Sequence, residues 1–269
     1  MIVLCSFANS PLKNGFKRLR EQATSFRIFD EILLYTETDL EESFRKRFGY
    51  LLRPYSKGYG YWCWKPQVIM QTLELMKDGD VMLYMDTGSH LNVNGKCRFL
   101  QYLEIVNKSK SGILAFRSPV HVEKKLTKRA VLNYFRVENN KQYTDSTQIE
   151  ATYIIIRKCN YSVNFIGEWL NTLNEAPLLF TDESQSFREF KEFKAHRHDQ
   201  SIFSILGKKY GIDTLYTDET YSEDWTKMNQ FPLLSKRDKL FCYKWQHKYY
   251  KKISQAYKLL WLLKYGKYY

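Results

Sequence analysis

Short apolar β-type runs alternate with amphipathic stretches at intervals of roughly thirty residues, and that spacing restricts the chain to βαβ units. Ile2 to Phe7, Glu31 to Tyr35, Val81 to Met85, Gly112 to Phe116 and the β-branched run Gln148 to Arg157 read as strands. Gly15 to about Thr24, Asp39 to Phe48, Lys65 to Lys77, Tyr161 to Leu173 and Asp199 to Leu206 read as helices. The acidic cluster Asp39-Leu40-Glu41-Glu42 marks one helix start, and Pro66 suits the first turn of another, where its missing N–H costs nothing. The expected fold class is α/β: a single domain over residues 1–235 with a mostly parallel central sheet, followed by a basic, aromatic helical tail over residues 236–269. A hydrophobic content of 44% in 269 residues is ample for its core.

Charge separates the two parts. From Lys236 to Tyr269 ten basic residues stand against Asp238 alone, so most of the net charge of +13 belongs to the tail. The remaining chain is nearly ordinary in charge, and a nucleic-acid reading based on the whole protein's isoelectric point loses its force. The five cysteines are scattered with no C-x-x-C pair, which argues against a zinc ribbon or a disulfide scaffold and for a reducing, cytoplasmic setting. The opening MIVLCSFANSPLK reads as a first strand, not as a secretory signal, and no segment reaches membrane-spanning length without charge.

Three segments carry candidate chemistry. The run Val81 to Met85 delivers Asp86 to its own end, followed by Thr87-Gly88. In open α/β sheets ligands lie beyond the carboxyl ends of strands, so Asp86 is placed to hold a metal or a ribose, unless it only caps the turn. The loop GYGYWCWKP (58–66) gathers Tyr59, Tyr61, Trp62 and Trp64 ahead of Lys65. Such rings stack on a base or a sugar, and a lysine at a helix start meets a diphosphate together with the positive helix end; the alternative is a core cluster with a surface lysine. HRHDQS (196–201) brings His196, His198, Asp199 and Gln200 to one helix N-terminus, where they can supply a metal ligand, a carboxylate and an amide. The alternative makes Asp199 an N-cap and the histidines solvated loop residues.

The order of Y-x-x-W-K-P, G-D-x-x-x-Y-x-D-x-G, T-Q-I-E-A-x-Y-I-I-I and H-R-H-D-Q-S motifs resembles bacterial GT-A-type glycosyltransferases that build lipopolysaccharide, O-antigen or capsule. It is more distantly similar to the glycogenin-like retaining enzymes of family 8. The resemblance spans about residues 1–215 and implies transfer of a sugar, with UDP as the expected carrier, by a retaining mechanism. It assigns Asp86 to the first acid of an Asp-x-Asp motif and Lys65 to a donor-contacting base, while Asp199-Gln200 takes the Asp-Gln pair beside the anomeric carbon. Glu150-Ala151-Thr152 corresponds to the strand lining the sugar pocket, joined there by Gln148, His196 and His198. Ser6, Phe7, Ala8 and Asn9 border the nucleotide, with Tyr61, Trp64, Thr87 and Gly88 completing the donor site. Gly88 stands where the second acid belongs. A manganese or magnesium ion would then rest on Asp86 and His198, with Ser89, His90 or a C-terminal histidine in place of the lost ligand, or the enzyme leans less on metal.

Lysines alternate with Tyr, Trp and Phe from Lys239 to Tyr269. That pattern suits an anionic membrane surface, which would hold the protein on the cytoplasmic face of the membrane beside a saccharide or lipid-linked acceptor. A helix packed on the domain and a nucleic-acid-binding arm are the other readings of the tail, the second giving a nonenzymatic nucleic-acid-binding protein.

Overall fold

The computed structural model describes residues 1–53, 56–183 and 187–238. Of the expected helical, membrane-binding tail 236–269, residues 236–238 are described and are not helical, and residues 239–269 lie outside the described residues.

The strands are β1 (Ile2–Phe7), β2 (Glu31–Tyr35), β3 (Val81–Met85), β4 (His90–Leu91), β5 (Ile113–Val122), β6 (Thr147–Arg157), β7 (Asp213–Tyr216) and β8 (Leu233–Leu234). Six of them form the central sheet in the order β2-β1-β3-β6-β5-β7, and β4 pairs with β8 in a separate ribbon. Parallel pairing joins β1 to β2 and β3, and β5 to β7; β6 runs antiparallel to both β3 and β5. The sheet is therefore mostly parallel, with a single reversed strand near its middle. The principal helices are α1 (Gly15–Phe26), α2 (Glu42–Phe48), α3 (Lys65–Leu75), α4 (Lys96–Lys108), α5 (Asn160–Glu175) and α6 (Asp199–Tyr210).

Both sheet faces are covered, which explains why β1 and β3 read as continuous apolar runs. Val3, Cys5 and Phe7 of β1 and Met82 and Tyr84 of β3 face a core shared with Phe44 of α2, Val68 of α3, Trp169 of α5 and Phe203 of α6. Leu4, Val81, Leu83 and Met85 face the opposite core, built with Leu19 of α1 and Phe99 of α4. Successive side chains of a strand alternate between faces, so the residue after Met85 belongs with Tyr84 on the side of α3 and α6. Strand parity alone thus sends Asp86 toward Lys65 and Asp199.

Several expected boundaries shift; helix α6, for example, runs to Tyr210, past Leu206. Helix α2 begins at Glu42, not Asp39, because the Asp39 carboxylate accepts from the N–H and hydroxyl of Thr36 at 2.7 Å each and closes a turn before the helix. Helix α3 stops at Leu75, with Met76 already extended and the Asp80 carboxylate accepting from the Lys77 N–H at 2.7 Å. Strand β5 runs to Val122, well past Phe116, along its pairing with β6. That pairing is broken by a bulge: Phe116 lies opposite Glu150 but Ala115 opposite Ile154, leaving Ala151, Thr152 and Tyr153 without β5 partners. Bulges re-aim backbone groups next to sites, and this one frees the Ala151 carbonyl.

Candidate active site

The site is built around the Lys65 ammonium, which is buried at the first residue of α3. Three oxygens surround it, matching its three N–H groups in number: Asp199 Oδ2 at 2.8 Å, the bulge carbonyl of Ala151 at 3.0 Å and Asp86 Oδ1 at 3.2 Å. Burial pushes the lysine's pKa down, but the two carboxylates outweigh it and the net direction is up. Lys65 therefore keeps its charge and ties the end of β3, the bulge of β6 and the start of α6 into one point. With a carbonyl and two carboxylates within 3.2 Å, the buried lysine sits as an internal counterion instead of an open cationic contact.

The two acids differ. The Asp86 side chain is 34% exposed and Asp199 only 6%. The Tyr84 hydroxyl, two residues back on the same strand face, donates to Asp86 Oδ1 at 2.9 Å. Burial raises the Asp199 pKa to about 6, with Lys65 pulling it down and Asp86 adding a smaller upward push. Asp199 is thus a carboxyl that changes state near neutrality beside an acid open to ligand, a pattern found at functional sites.

The aromatic loop takes a form the sequence did not announce. Gly58, Tyr59, Gly60, Tyr61 and Trp62 all have φ between 52° and 91°, forming a left-handed turn. The Tyr61 N–H donates to Lys57 O at 2.6 Å, the Trp62 N–H to Gly58 O at 3.2 Å, and the Trp64 indole N–H to the same Gly58 carbonyl at 3.0 Å. His198, itself at φ 53°, lays its ring 5.0 Å from Tyr61 and 5.7 Å from Trp62. The loop, the strand end and the HRHDQS segment therefore do come together.

Other expected residues have more local tasks. Ser6 Oγ donates to Met85 O and Thr87 Oγ1 to Phe7 O, both at 2.7 Å, stitching the ends of β1 and β3. Phe7 stacks on Trp64 at 3.9 Å, and the Ala8 N–H donates to Tyr35 O at 3.0 Å. Asn9 is half-buried just before the 10–12 turn, and its side chain does not cap it. Glu150 Oε1 lies 3.5 Å from His121 Nδ1. Gln148 is buried and accepts from the Gln200 amide at 2.8 Å. His196 is held between the Leu179 carbonyl at 2.7 Å from Nε2 and the Lys128 N–H at 3.4 Å from Nδ1, and burial drives its pKa well down. Both of its ring nitrogens are thereby occupied by backbone.

The donor set for manganese or magnesium was expected at Asp86 and His198. Asp86 Oδ1 instead carries Lys65 and Tyr84, while His198 Nδ1 meets Phe180 O at 2.9 Å and its Nε2 lies 3.5 Å from Asp182. Among the described residues no group of three or more His, Cys, Asp or Glu side chains gathers as ligands. His90 is engaged elsewhere, 3.1 Å from the Gln22 amide and 3.3 Å from Asp238. Gly88 lies beneath the Arg237–Asp238 backbone and accepts from the Asp238 N–H at 2.7 Å, while Asp238 pairs with Arg18 at 2.7 Å. The protein side chains thus form no complete cage for a divalent ion; an ion here would rest on Asp86, with donor phosphates and water completing its shell.

Sequence reading missed Tyr84, the Ala151 carbonyl, the Arg18–Asp238 latch and the buried Glu123–Lys208 pair at 2.6 Å. Tyr84 alone carried a signal, being two residues before Asp86 on the same strand face.

No protein family matches the chain, and no curated protein matches it. Among solved structures it is similar to a glycosyltransferase involved in glycosylation of the major capsid of PBCV-1, at 10% identity over 87% of this chain and 92% of that one, with a TM-score of 0.46. It is also similar to mouse xyloside xylosyltransferase 1, at 15% identity over 95% and 92% with a TM-score of 0.40. The galactosyltransferase LgtC, solved with donor and acceptor sugar analogs, gives 10% identity over 95% and 96% with a TM-score of 0.41. Likenesses at this level establish neither the fold nor the activity of this chain.

Proposed function

We propose that the protein is a glycosyltransferase that moves a sugar from a nucleotide-sugar donor, a UDP-sugar foremost, to a saccharide or lipid-linked saccharide acceptor in cell-surface polysaccharide synthesis. The observation that carries the reading is the Lys65 ammonium drawing Asp86 and the buried Asp199 into one cluster, with Gln200 beside it. In the transfer the bond between the anomeric carbon and the diphosphate oxygen breaks, its electron pair leaving on the nucleoside diphosphate. The acceptor hydroxyl oxygen forms the new bond, and its proton passes to the leaving phosphate. Positive charge develops at the anomeric carbon, where a fixed carboxylate and an amide oxygen lower the barrier. Asp199 and Gln200 fill that role in this reading, and Asp86, the more open acid, faces the donor's ribose.

Retention of configuration goes with this reading, as does an acceptor presented at the cytoplasmic face of a membrane to which the basic tail binds. Hydrolysis of UDP-glucose, UDP-galactose, UDP-N-acetylglucosamine and GDP-mannose, each with and without manganese, tests the core of it. Turnover of at least one, lost in Asp86→Ala and Asp199→Ala, supports transfer; a folded protein that neither binds nor hydrolyses any of them refutes it. Co-sedimentation with phosphatidylglycerol vesicles, lost on removing residues 239–269, tests the membrane contact. Salt-dependent binding of single-stranded nucleic acid by that segment, without nucleotide-sugar binding, would favour the nonenzymatic alternative.

A further inference from the structure

Behind Gln200 lies a buried polar chain that the site as described does not use. The fully buried Glu123 carboxylate receives four donors: Lys208 Nζ at 2.6 Å, the Ser204 and Thr127 hydroxyls, and Gln148 Nε2 at 3.2 Å. The Gln148 amide nitrogen also lies 2.9 Å from Thr127 Oγ1 and 3.3 Å from Ser201 Oγ. Thr127 spends its proton on Glu123 and Ser201 donates to Leu126 O at 3.0 Å, so both hydroxyls can only accept from Gln148. Every group around that end of the amide is thus an acceptor, and only the NH2 end can face it. The Gln148 carbonyl must then point the other way, to Gln200, whose Nε2 donates to it at 2.8 Å. The Gln200 amide is fixed in turn. Its carbonyl oxygen is the end left over, and among the described residues no donor reaches it.

We propose that Glu123 is a positioning residue that acts through Gln148 to hold the Gln200 carbonyl oxygen toward the bound sugar. The polarity matters chemically. An outward NH2 would suit a phosphate or carboxylate, whereas an outward carbonyl suits a sugar hydroxyl or positive charge growing at the anomeric carbon. The relay therefore makes this end of the site a sugar subsite and keeps anionic groups away from it. This rests on the glycosyltransferase reading, but the amide orientation can be measured without it.

Glu123→Gln inverts the relay. Lys208 and Ser204 claim the new carbonyl, leaving the new NH2 toward Gln148, which must turn over and turn Gln200 over with it. Four variants separate this from loss of an ion pair. On the nucleotide sugar that the wild type hydrolyses fastest, Glu123→Gln and Gln148→Met each lower kcat roughly 10²-fold, the cost of a misplaced group, with little change in KM. The double variant is no slower than either single one, because both break one chain. Lys208→Met, which keeps the Glu123 carboxylate, stays within about threefold of wild-type kcat whatever it costs in stability. Independently, hydrogen exchange of the Gln200 side-chain amide is slow in the wild type and at least ~10-fold faster in Glu123→Gln, where the NH2 faces solvent.

Additive losses, a Lys208→Met defect as large as that of Glu123→Gln, or unchanged Gln200 amide exchange would each overturn the relay. A folded wild-type protein that neither binds nor hydrolyses any of the donors refutes the proposed function and the sugar subsite with it, while the exchange measurement still decides the amide polarity.

Discussion

Asp199→Asn should change how stability depends on pH, by an amount fixed by the burial of that carboxyl. Its pKa is about 6 in the folded protein against an ordinary 3.8. Between those values the native state holds a proton on Asp199 that the unfolded chain has released, so stability falls as pH rises. The contribution is fully present below pH 3.8 and lost once pH has passed about 6. Each pH step of one between the two values is worth about 1.4 kcal/mol, so from pH 4.5 to 7.5 the wild type should lose about 2 kcal/mol through this group.

The asparagine keeps the shape and has no proton to release, so it lacks that slope. Buried histidines complicate the raw profile in the opposite sense. His198, whose pKa burial lowers to about 4, adds stability that is lost as pH falls below its ordinary 6.5. Both proteins share that effect, and it cancels in the difference. Urea unfolding at half-unit intervals, read as variant minus wild type, should therefore rise by about 2 kcal/mol between pH 4.5 and 7.5 and then level off. Parallel curves would show that Asp199 is an ordinary ionised acid and would refute the reasoning from burial.

Lys65→Met leaves Asp199 buried without its cation, and breaking a buried pair from one side costs about 3–5 kcal/mol, read as a lower urea midpoint; an unchanged midpoint would mean water already screens the cluster. Gly88→Asp should fold almost normally, because an added Cβ meets the Arg237 backbone at an ordinary 3.6 Å. Its new acid beside Asp86 should strengthen manganese binding, seen as a larger metal-induced rise in melting temperature than in the wild type. Gly58→Ala places a Cβ 2.4 Å from the Trp62 ring at a residue with φ 58°, and should cost about 2 kcal/mol or more and slow donor turnover.

The cationic centre was legible because each of its side chains sits at an element boundary. Asp86 ends an apolar strand, Lys65 follows a glycine-bounded loop into a helix, and Asp199 begins one. Those boundaries are set by local chemistry, and strand parity then decides the face. Nothing local says that β6 runs against its neighbours, because a β-branched run such as TYIIIR suits either direction. The bulge at Ala151–Tyr153 depends on register against β5, and the Gln148–Glu123 contact on a return of the chain 25 residues later. The latch of Asp238 onto Gly88 and Arg18 joins segments still farther apart. Even the lysine's task changed. Sequence placed it before a diphosphate, and three-dimensional packing closed two acids and a carbonyl around it.

The backbone that delivers this cluster is strained. Tyr59, Tyr61, Trp62 and His198 are non-glycine residues at φ between 52° and 59°. A non-glycine residue held in such a sparsely populated region costs on the order of 1–3 kcal/mol, so four of them represent a substantial fraction of a domain's net stability of about 5–15 kcal/mol. Of the seven non-glycine residues with positive φ among the described residues, these four fall in two segments that meet, while Arg27, Arg136 and Arg237 lie elsewhere. The turn at 58–62 leads into Lys65, and His198 immediately precedes Asp199, with the His198 ring against Tyr61 and Trp62. Relaxing either segment would shift a charged group of the centre, since only two residues separate Trp62 from Lys65 and none separates His198 from Asp199. The turn's own hydrogen bonds, the Ser56 hydroxyl accepting from the Gly60 N–H at 2.6 Å, and the Phe180 carbonyl on His198 hold both in place. Strain retained where the chain delivers its buried cation and buried acid is consistent with selection for their placement over local comfort.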